Sequence, residues 1–447
     1  MSNPITNDFE PSSAAAWKQK LQFELNGADY SNTLLTKTNE GITIKPFYHL
    51  DNFEKLIIPT TPYTFKICQK INIASEKAAN EIAVNAIKNG VKALKFEATK
   101  PFVIDELFQN SLNKNIDFHF QLTFLNEDFI HKLIATLKDE TVFLNIDIIG
   151  NLAETGNWHT SLTSDFKIIE DLLQQNNLKS FISVNSNIYQ NAGANIVQQI
   201  AYTLAHANEY IHKFGANTAS KIQFNFATGS HYFFEIAKIR AFRYLHKLIL
   251  NEYNCTANAQ IYCEPSLRNK TLLNFQLNKL RVTTENMSAI IGGSNTIANH
   301  TNNPLFFNKD NNNFQRLNEI SKNISSLNVE DITTDSYFIE SITKQLAEKA
   351  LTIFKDIEKS GGFLSQLKSG TIQRKIKENA LKEQEQFKTG ELSLLDSNKF
   401  IQNKTNSTHT LNTNPFTPKK PYKTLIIPIS PTRLAEKLEL KKFKYEA

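Results

Sequence analysis

The chain is poor in cysteine, glycine and long apolar runs. Its 447 residues include three Cys and 14 Gly. Cys68, Cys255 and Cys263 form no Cys-x-x-Cys pair, and a small, odd number of cysteines is typical of a reducing compartment. The shortage of glycine argues against Gly-rich phosphate loops. The sequence contains no P-loop, no Gly-x-Gly-x-x-Gly after a strand, no His-Glu-x-x-His and no Gly-x-Ser-x-Gly.

Membrane and nucleic-acid partners are also disfavoured. No apolar run reaches the length of a membrane span, and the start MSNPITNDFEPSS lacks the basic segment and apolar run of a signal peptide. The net charge of +6 is mild, and Lys and Glu are interspersed rather than clustered. We therefore expect a soluble cytoplasmic protein that binds neither membrane nor nucleic acid.

What the sequence does contain is a repeated strand-helix pattern. Its apolar content of 40% and its 32 Phe are enough for a large core. The eight predicted strands are FKICQKIN, ALKFEAT, IDFHFQLT, TVFLNIDIIG, SFISVN, KIQFNFAT, AQIYCEPS and SNTIANH. Each precedes a segment with helical spacing of apolar residues, the first bounded by Ser75 and Gly90. The strands are mostly apolar or aromatic, which favours parallel strands covered on both faces.

Eight such units predict an α/β fold, a closed (β/α)8 TIM-type barrel, with an open doubly wound sheet as the alternative. We assign residues 1–65 to an N-terminal arm with an amphipathic helix, 66–330 to the barrel and 331–395 to C-terminal helices packed on it. Residues 396–447 are predicted to be an extended tail. Its lysines, Lys419, Lys420 and Lys423, are expected to be solvated or, as a second option, to dock a partner.

The junction after the fifth strand lies where α/β barrels carry catalytic groups. Residues 185–190, Asn-Ser-Asn-Ile-Tyr-Gln, offer amides and hydroxyls but no histidine, carboxylate or cysteine. Asp147 and Glu264 end the fourth and seventh strands and are the best candidates for an independent acid-base pair. Carboxylates at strand ends also commonly cap neighbouring helices, so both interpretations stand at this point.

His119 lies in Asp117-Phe118-His119, which begins like the Asp-x-His-x-x-Gly motif that presents a cobalt-ligating histidine in several cobalamin proteins. The sixth position is Leu122 rather than Gly, and the motif falls inside a strand. We therefore predict a strand histidine with a hydrogen-bonded ring and no metal site here.

The remaining candidate histidines are scattered. His206 and His212 are six residues apart on one helix and face different sides, so they cannot bind one metal ion together. His231 follows the sixth strand and His300 ends the eighth, where both could reach the barrel mouth. A lone histidine is more often structural than catalytic.

Several blocks, in order and spacing, resemble the methylmalonyl-CoA mutase family, in particular its small (beta) subunit. The blocks are WKQKLQFELNGADY (17–30), EGITIKPFY (40–48), FFEIAKIRAFRYL (233–245), RNKTLLNFQLNKLRVTTENMSAIIGG (268–293), SYFIESITKQLAEKALTIFKDIEKSGG (336–362) and NALKEQEQFKTGEL (379–392). The RNKT opening is similar to the small subunit rather than the catalytic one. Together the blocks extend over about residues 15–400.

This resemblance implies that catalysis and cofactor binding reside in a different subunit. The family's catalytic subunit interconverts methylmalonyl-CoA and succinyl-CoA by radical chemistry with adenosylcobalamin. Its coenzyme A tail threads the barrel axis, and a C-terminal flavodoxin-like domain holds the cobalamin. For this chain the resemblance implies no bound cofactor or metal, and a large (alpha) subunit as the partner that carries adenosylcobalamin. Since the sequence ends at Ala447, we expect no flavodoxin-like cobalamin domain.

The chain departs from the catalytic pattern at each functional point. The family's Ala-Gly-Ala survives at 192–194, which places Asn187 at the tyrosine position and Ile188 at the histidine position. Isoleucine cannot hydrogen-bond a substrate carbonyl. Tyr262 and Glu264 stand where the family has a histidine-glutamine pattern on the seventh strand. Residues 292–300, GGSNTIANH, stand where it has a pattern similar to GGTQSLHTN at the eighth strand. We therefore expect no catalytic residue in this chain.

The resulting hypothesis is a non-catalytic small subunit that stabilises the large one. The alternatives are an active mutase subunit that uses a separate cobalamin-binding protein, and a repurposed barrel that binds an acyl-CoA. The strands carry six Phe, which favour a filled barrel axis, although the sequence does not show which of them point inward: Phe118, Phe120, Phe143, Phe181, Phe224 and Phe226.

Overall fold

The centre of the protein is a closed barrel of eight parallel strands. The computed structural model describes residues 12–59, 65–112, 115–174, 178–272, 274–299, 333–400 and 423–445. The barrel strands are β3 (Lys66–Asn72), β4 (Ala93–Ala98), β5 (Asp117–Leu122), β6 (Thr141–Ile146), β7 (Ser180–Asn185), β8 (Ile222–Thr228), β9 (Gln260–Pro265) and β10 (Thr296–Asn299). They pair in chain order and β10 closes onto β3. The (β/α)8 prediction is confirmed, and the open sheet is excluded.

Helices cross over between the strands and surround the barrel. They are α3 (Glu76–Lys88), α4 (Ile104–Leu107), α5 (Glu127–Thr136), α6 (Ile148–Thr155), α7 (Leu162–Leu173), α8 (Asn187–Asn191), α9 (Ile196–Phe214), α10 (Tyr232–Glu252) and α11 (Phe275–Ile291). The fourth strand is shorter than predicted, because the Asp147 side chain caps Gly150 N and starts α6 there. His300 and the helix predicted over residues 313–327 lie outside the described residues.

The hydrophobic core lies between the strands and the helices. On β5, Phe118 and Phe120 pack outward against Phe108, with ring centroids 5.4 and 6.1 Å away. On β8, Phe224 and Phe226 pack outward against Phe242 of α10, at 4.7 and 4.9 Å. These four Phe side chains therefore fill the layer outside the barrel and not its axis.

The N-terminal arm carries helices but buries little of itself. It contains α1 (Ala14–Glu24), α2 (Tyr30–Leu34) and a two-stranded antiparallel ribbon, β1 (Thr36–Lys37) and β2 (Thr43–Ile44). The helix predicted over residues 14–27 is present as α1, but no residue of it is buried. Its Trp17 is 46% exposed and makes an edge contact with Phe47.

Three helices follow the barrel within residues 333–400: α12 (Tyr337–Lys359), α13 (Phe363–Lys368) and α14 (Thr371–Thr389). The α12 helix lies against α9 and α10. A buried ion pair of 2.6 Å between Arg240 of α10 and Glu340 of α12 fixes this contact. None of the described helices is both long and apolar enough to cross a membrane.

The prediction of an extended tail is wrong for residues 423–445, which we name the C-terminal strap. The strap runs across the carboxyl face of the barrel and ends in α15 (Glu436–Tyr445). Its backbone amides donate to carbonyls in segments that follow three strands: Ile429 to Ala153 of α6, Thr432 to Asn191 of α8 and Leu434 to Arg268 after β9, at 2.7–2.9 Å. The exposed Lys423 lies at its start, whereas Lys419 and Lys420 lie outside the described residues.

Candidate functional site

The barrel axis is lined by polar side chains that alternate with the outward apolar ones. On β5, His119 pairs in register with Lys95 of β4 and Phe143 of β6, so all three face the axis. The His119 ring stacks on the Phe143 ring with 4.3 Å between centroids and 6° between planes. Six Phe residues on the strands favoured a filled axis in the sequence analysis. The side chain of one of them, Phe143, points into the barrel.

Side chains from opposite walls meet in the middle of the barrel. β5 and β9 are the third and seventh of eight strands and therefore face each other across the axis. The His119 ring of β5 lies 5.5 Å from the Tyr262 ring of β9, and Lys95 Nζ lies 4.6 Å from the centre of that same ring. All three side chains are at most 3% exposed. The axis is filled at this level, and an extended ligand cannot thread through it.

An amide network fills the neighbouring sector of the interior. Gln223 Nε2 donates to Asn145 Oδ1 at 2.7 Å and to Asn225 Oδ1 at 2.8 Å. Asn225 Nδ2 in turn donates to Asn185 Oδ1 at 2.7 Å. Three strands, β6, β7 and β8, are joined in this way through four buried amides, and such connected polar groups hold a single arrangement rigidly.

Burial suppresses ionisation of the axial groups. Desolvation, together with the nearby charges of Lys95 and Lys66, lowers the pKa of His119 to about 3. Desolvation raises the pKa of the Cys68 thiol to about 12 and that of Tyr262 well above its usual value. His119 is therefore neutral at physiological pH, inaccessible and unsuited to bind cobalt. Stacking rather than a well-formed hydrogen bond holds its ring, although Gln223 lies near it.

Two positions that the sequence singled out do meet at the barrel mouth. Asn187 Nδ2, at the start of α8, donates to Glu264 Oε1 at 2.6 Å. Beside them, Lys70 Nζ and Glu97 Oε1 form an ion pair of 2.7 Å. Burial alone would lower the pKa of Lys70, but the carboxylates of Glu97 and Glu264 outweigh it and raise that pKa. The lysine is thus held as a cation, which leaves it a poor nucleophile.

Ile188 and Tyr262 occupy different surroundings from this pair. Ile188 is half-buried and packs against the hydrophobic core. Tyr262 lies deeper in the axis, in a cluster with Cys68, Ala93 and Ala298. The four predicted degenerate positions therefore include one hydrogen-bonded pair at the mouth, one axial aromatic group and one aliphatic group.

Asp147 and Glu264 do not form the acid-base pair considered from the sequence. Asp147 accepts hydrogen bonds from Asn185 N at 2.8 Å and Tyr210 Oη at 2.9 Å, and lies 3.0 Å from His206 Nε2. Burial alone would raise the pKa of Asp147, but His206 and the donated hydrogen bonds lower it overall. Because its partners on α9 lie outside the barrel, Asp147 serves as a helix cap and a structural anchor.

The other candidate histidines that the structure describes lie apart from one another. His206 is fully buried, with Nδ1 2.8 Å from Tyr189 Oη, whereas His212 on the same helix is exposed, as predicted from their spacing. His231 precedes α10 and borders a cavity of about 620 Å³ beside the mouth. In the described ranges of the chain, no three His, Cys, Asp or Glu side chains are grouped to hold a metal ion.

The Ala-Gly-Ala segment is explained by packing. Gly193 has a φ of 105°, and a Cβ placed there would lie 2.6 Å from Ala380 Cβ of α14 and 3.0 Å from Arg268 Cζ. Its carbonyl also accepts a 2.7 Å hydrogen bond from Asn379 Nδ2. The segment after the junction is thus a contact point for α14, and its retention requires no chemistry.

Sequence reasoning missed most of the polar interior. Lys70, Lys95, Glu97 and Gln223 were not among its candidates, although each lies in a predicted strand. A signal was present: in IDFHFQLT and KIQFNFAT, polar and aromatic residues alternate with the period of a strand. Here the polar set faces the axis and the aromatic set faces the helices.

Comparison with known proteins gives one family. The methylmalonyl-CoA mutase family model matches residues 136–425. A methylmalonyl-CoA mutase small subunit from Porphyromonas gingivalis is 28% identical over 89% of this chain and 71% of its own length. A methylmalonyl-CoA mutase from Cereibacter sphaeroides is 25% identical over 86% of this chain and 64% of its own length. The large subunit of a 2-hydroxyisobutanoyl-CoA mutase from Aquincola tertiaricarbonis is 24% identical over 58% and 49%.

Proposed function

The chain belongs to the methylmalonyl-CoA mutase family, and we propose that it is the non-catalytic small subunit of a heterodimeric mutase. In this proposal a separate large subunit binds adenosylcobalamin and carries out the isomerisation of methylmalonyl-CoA and succinyl-CoA. The small subunit stabilises that partner. The cytoplasmic location and the domain boundaries expected from the sequence stay predictions.

The observation that carries the proposal is the filled axis. In the catalytic members that the chain resembles, a coenzyme A tail is expected to thread the barrel. Here the His119 and Tyr262 rings meet across the axis at 5.5 Å, and Lys95 lies over the Tyr262 ring. Opening this passage would expose the buried cation and separate the stacked rings. A ligand would have to supply that free energy before it gained any contact.

The residues at the barrel mouth also disfavour isomerisation of an acyl-CoA by this chain. Ile188 stands at the position where the resemblance places a histidine, and a hydrocarbon side chain cannot polarise a thioester carbonyl. Two carboxylates, Glu97 and Glu264, surround one cation, Lys70. A carboxylate such as Glu264 at the mouth would repel the carboxylate of an anionic acyl group brought next to it.

What remains intact is a scaffold with uncovered surfaces. The α1 helix of the N-terminal arm buries none of its residues against this chain, and its Phe23 is 84% exposed. An isolated helix of 11 residues is marginal in water. An arm of this kind is stabilised when a partner covers it, and we assign its apolar side chains to the contact with the large subunit.

Co-expression tests the proposal. The large subunit of the same organism would be produced with and without this chain. We expect a higher yield, a higher melting temperature and more mutase turnover in the presence of adenosylcobalamin when both chains are present. A large subunit that is equally stable and active alone would contradict the proposal.

The isolated chain tests the two alternatives. Calorimetry with coenzyme A thioesters is expected to show no binding in the micromolar range, because the axis is filled. Micromolar binding would favour the acyl-CoA-binding barrel instead. Isomerisation by this chain with a stand-alone cobalamin-binding protein, in the absence of the large subunit, would favour an active subunit.

A further inference from the structure

A groove runs between helix α14 and the C-terminal strap, on the carboxyl face of the barrel. We name it the α14 groove. It encloses about 700 Å³, and Ile376, Ala380 and Ile429 contribute to its apolar lining. Two hydrogen bonds hold the strap wall to the barrel: Leu272 N donates to Glu439 Oε1 at 2.7 Å, and Arg433 Nη1 donates to Lys270 O at 3.2 Å. The groove is therefore a built feature of the fold and not a gap between mobile segments.

Large apolar side chains stand open to solvent along this groove. Leu381 of α14 is 56% exposed and Ile427 of the strap is 70% exposed. Leu425 and Leu438, on the strap beside it, are 70% and 41% exposed. Contiguous exposed apolar groups with a polar rim are characteristic of surfaces that another protein covers.

The rim of the groove is basic. Arg374, Lys377 and Lys437 line it, and Glu436 lines it as well but accepts a hydrogen bond from Arg433 N at 3.1 Å. Within the described ranges, Lys377 and Lys437 have no ion-pair partner. The groove thus combines an apolar floor with cations that a carboxylate-bearing partner would neutralise.

Much of the backbone on both sides is already hydrogen-bonded. The α14 side is a helix, whose amides are used internally. On the strap side, the amides of residues 425, 426, 429, 432 and 434 donate to carbonyls of the barrel and its helices. Pro428 and Pro431 have no amide N–H, so the strap is a poor edge for an added strand. A helix, which satisfies its own backbone, fits such a groove through side chains three and four residues apart.

We propose that the α14 groove binds an acidic amphipathic helix of the large subunit. This inference rests on the proposed function and names one surface through which this chain contacts the large subunit. The apolar stripe of the helix covers Leu381 and Ile427. Its flanking carboxylates pair with Lys377 and Lys437.

Binding of purified large subunit to the full-length chain tests this assignment. Leu381→Asp, Ile427→Asp and the double charge reversal Lys377→Glu/Lys437→Glu are each expected to weaken the affinity at least about tenfold. The matched controls lie on α3, far along the chain, where Ile82 is 49% exposed and Lys77 is exposed. Ile82→Asp and Lys77→Glu are expected to change the affinity less than about twofold.

The outcomes separate the two proposals. If the groove variants bind the large subunit with the same affinity as the wild-type chain, the groove assignment is wrong and the proposed function still stands. Failure of the wild-type chain to bind the large subunit overturns both. Binding of the wild-type chain to phosphatidylserine vesicles, lost in the charge reversal while the complex with the large subunit is kept, assigns the groove to a membrane surface and overturns the protein assignment.

Cross-linking gives a readout that does not depend on affinity. A photoactivatable maleimide would be attached to Leu381→Cys in a Cys255→Ser background, since Cys68 and Cys263 are buried whereas Cys255 is partly exposed. We expect the cross-linked large-subunit peptide to be net acidic with apolar residues at helical spacing. A basic peptide, a peptide with strand alternation, or no cross-link in an intact complex would contradict the proposal.

Discussion

Replacing Gly193 by Ala is expected to destabilise the chain markedly, although no catalytic group is touched. An L-residue at a φ of 105° costs about 1–2 kcal/mol. The added Cβ would lie 2.6 Å from Ala380 Cβ, so α14 or the loop must move, and overpacking of this kind costs about 1–3 kcal/mol. We therefore expect the free energy of unfolding, measured by urea titration, to fall by about 2–5 kcal/mol.

A matched glycine and a double variant isolate the packing contribution. Gly390 also has a positive φ, 84°, but nothing lies within 4 Å of the position of its Cβ, so Gly390→Ala should cost only about 1–2 kcal/mol. Ala380→Gly makes room for the Gly193→Ala methyl group, and the double variant should be more stable than additivity predicts by about 1–3 kcal/mol. Equal costs at 193 and 390, or strict additivity with Ala380→Gly, would refute the explanation that packing against α14 keeps this glycine.

Three further predictions follow from the buried charges. Between about pH 6.5 and 3 the His119 ring takes up a proton only in the unfolded wild type, so the unfolding free energy should fall by about 1.4 kcal/mol for each unit that the pH is lowered. His119→Phe should abolish this part of the pH dependence, which urea titrations across pH would measure. Asp147→Asn should lower the unfolding free energy at pH 7 by about 3–5 kcal/mol. The deficit should shrink below about pH 4, as the wild type protonates through its lowered folded pKa and loses this contribution. Lys270→Met breaks an ion pair whose side chains are both fully buried and should cost about 3–5 kcal/mol, whereas adding Glu285→Leu should recover most of that in thermal melts.

The barrel could be predicted from the sequence because its elements are locally consistent. SFISVN is a buried strand over its full length, Ser180–Asn185, and the helical pattern after it yields α9 with a capping box between Asn195 and Gln198. Eight repetitions of this unit leave few topologies. The fourth strand was overpredicted because Ile148 and Ile149 are as apolar as a strand, while the cap at Asp147 depends on tertiary partners from α9.

The direction of side chains was not predictable from hydrophobicity alone. Phe118 and Phe224 were taken as possible fillers of the axis, but in a barrel covered by helices the greater apolar volume lies outside the strands. The strap was missed for a related reason. Its helix α15 is rich in Lys and Glu, and what holds the strap is the Arg433–Glu439 pair and backbone bonds to loops far away in sequence.

Under the proposed function, the contacts along the axis also bear on how catalysis could be introduced into this chain. Restoring a histidine at position 188 alone would add a polar group at the mouth, but the passage below it would stay closed by His119 and Tyr262. Those two side chains come from opposite strands, and Lys95 lies over the tyrosine ring, so removing one of them would leave a buried cation or a cavity. Each single step toward an open barrel therefore costs stability without giving a route for substrate. The proposed function therefore depends on the surfaces of the chain, and the α14 groove and the N-terminal arm are the places where variants should test it.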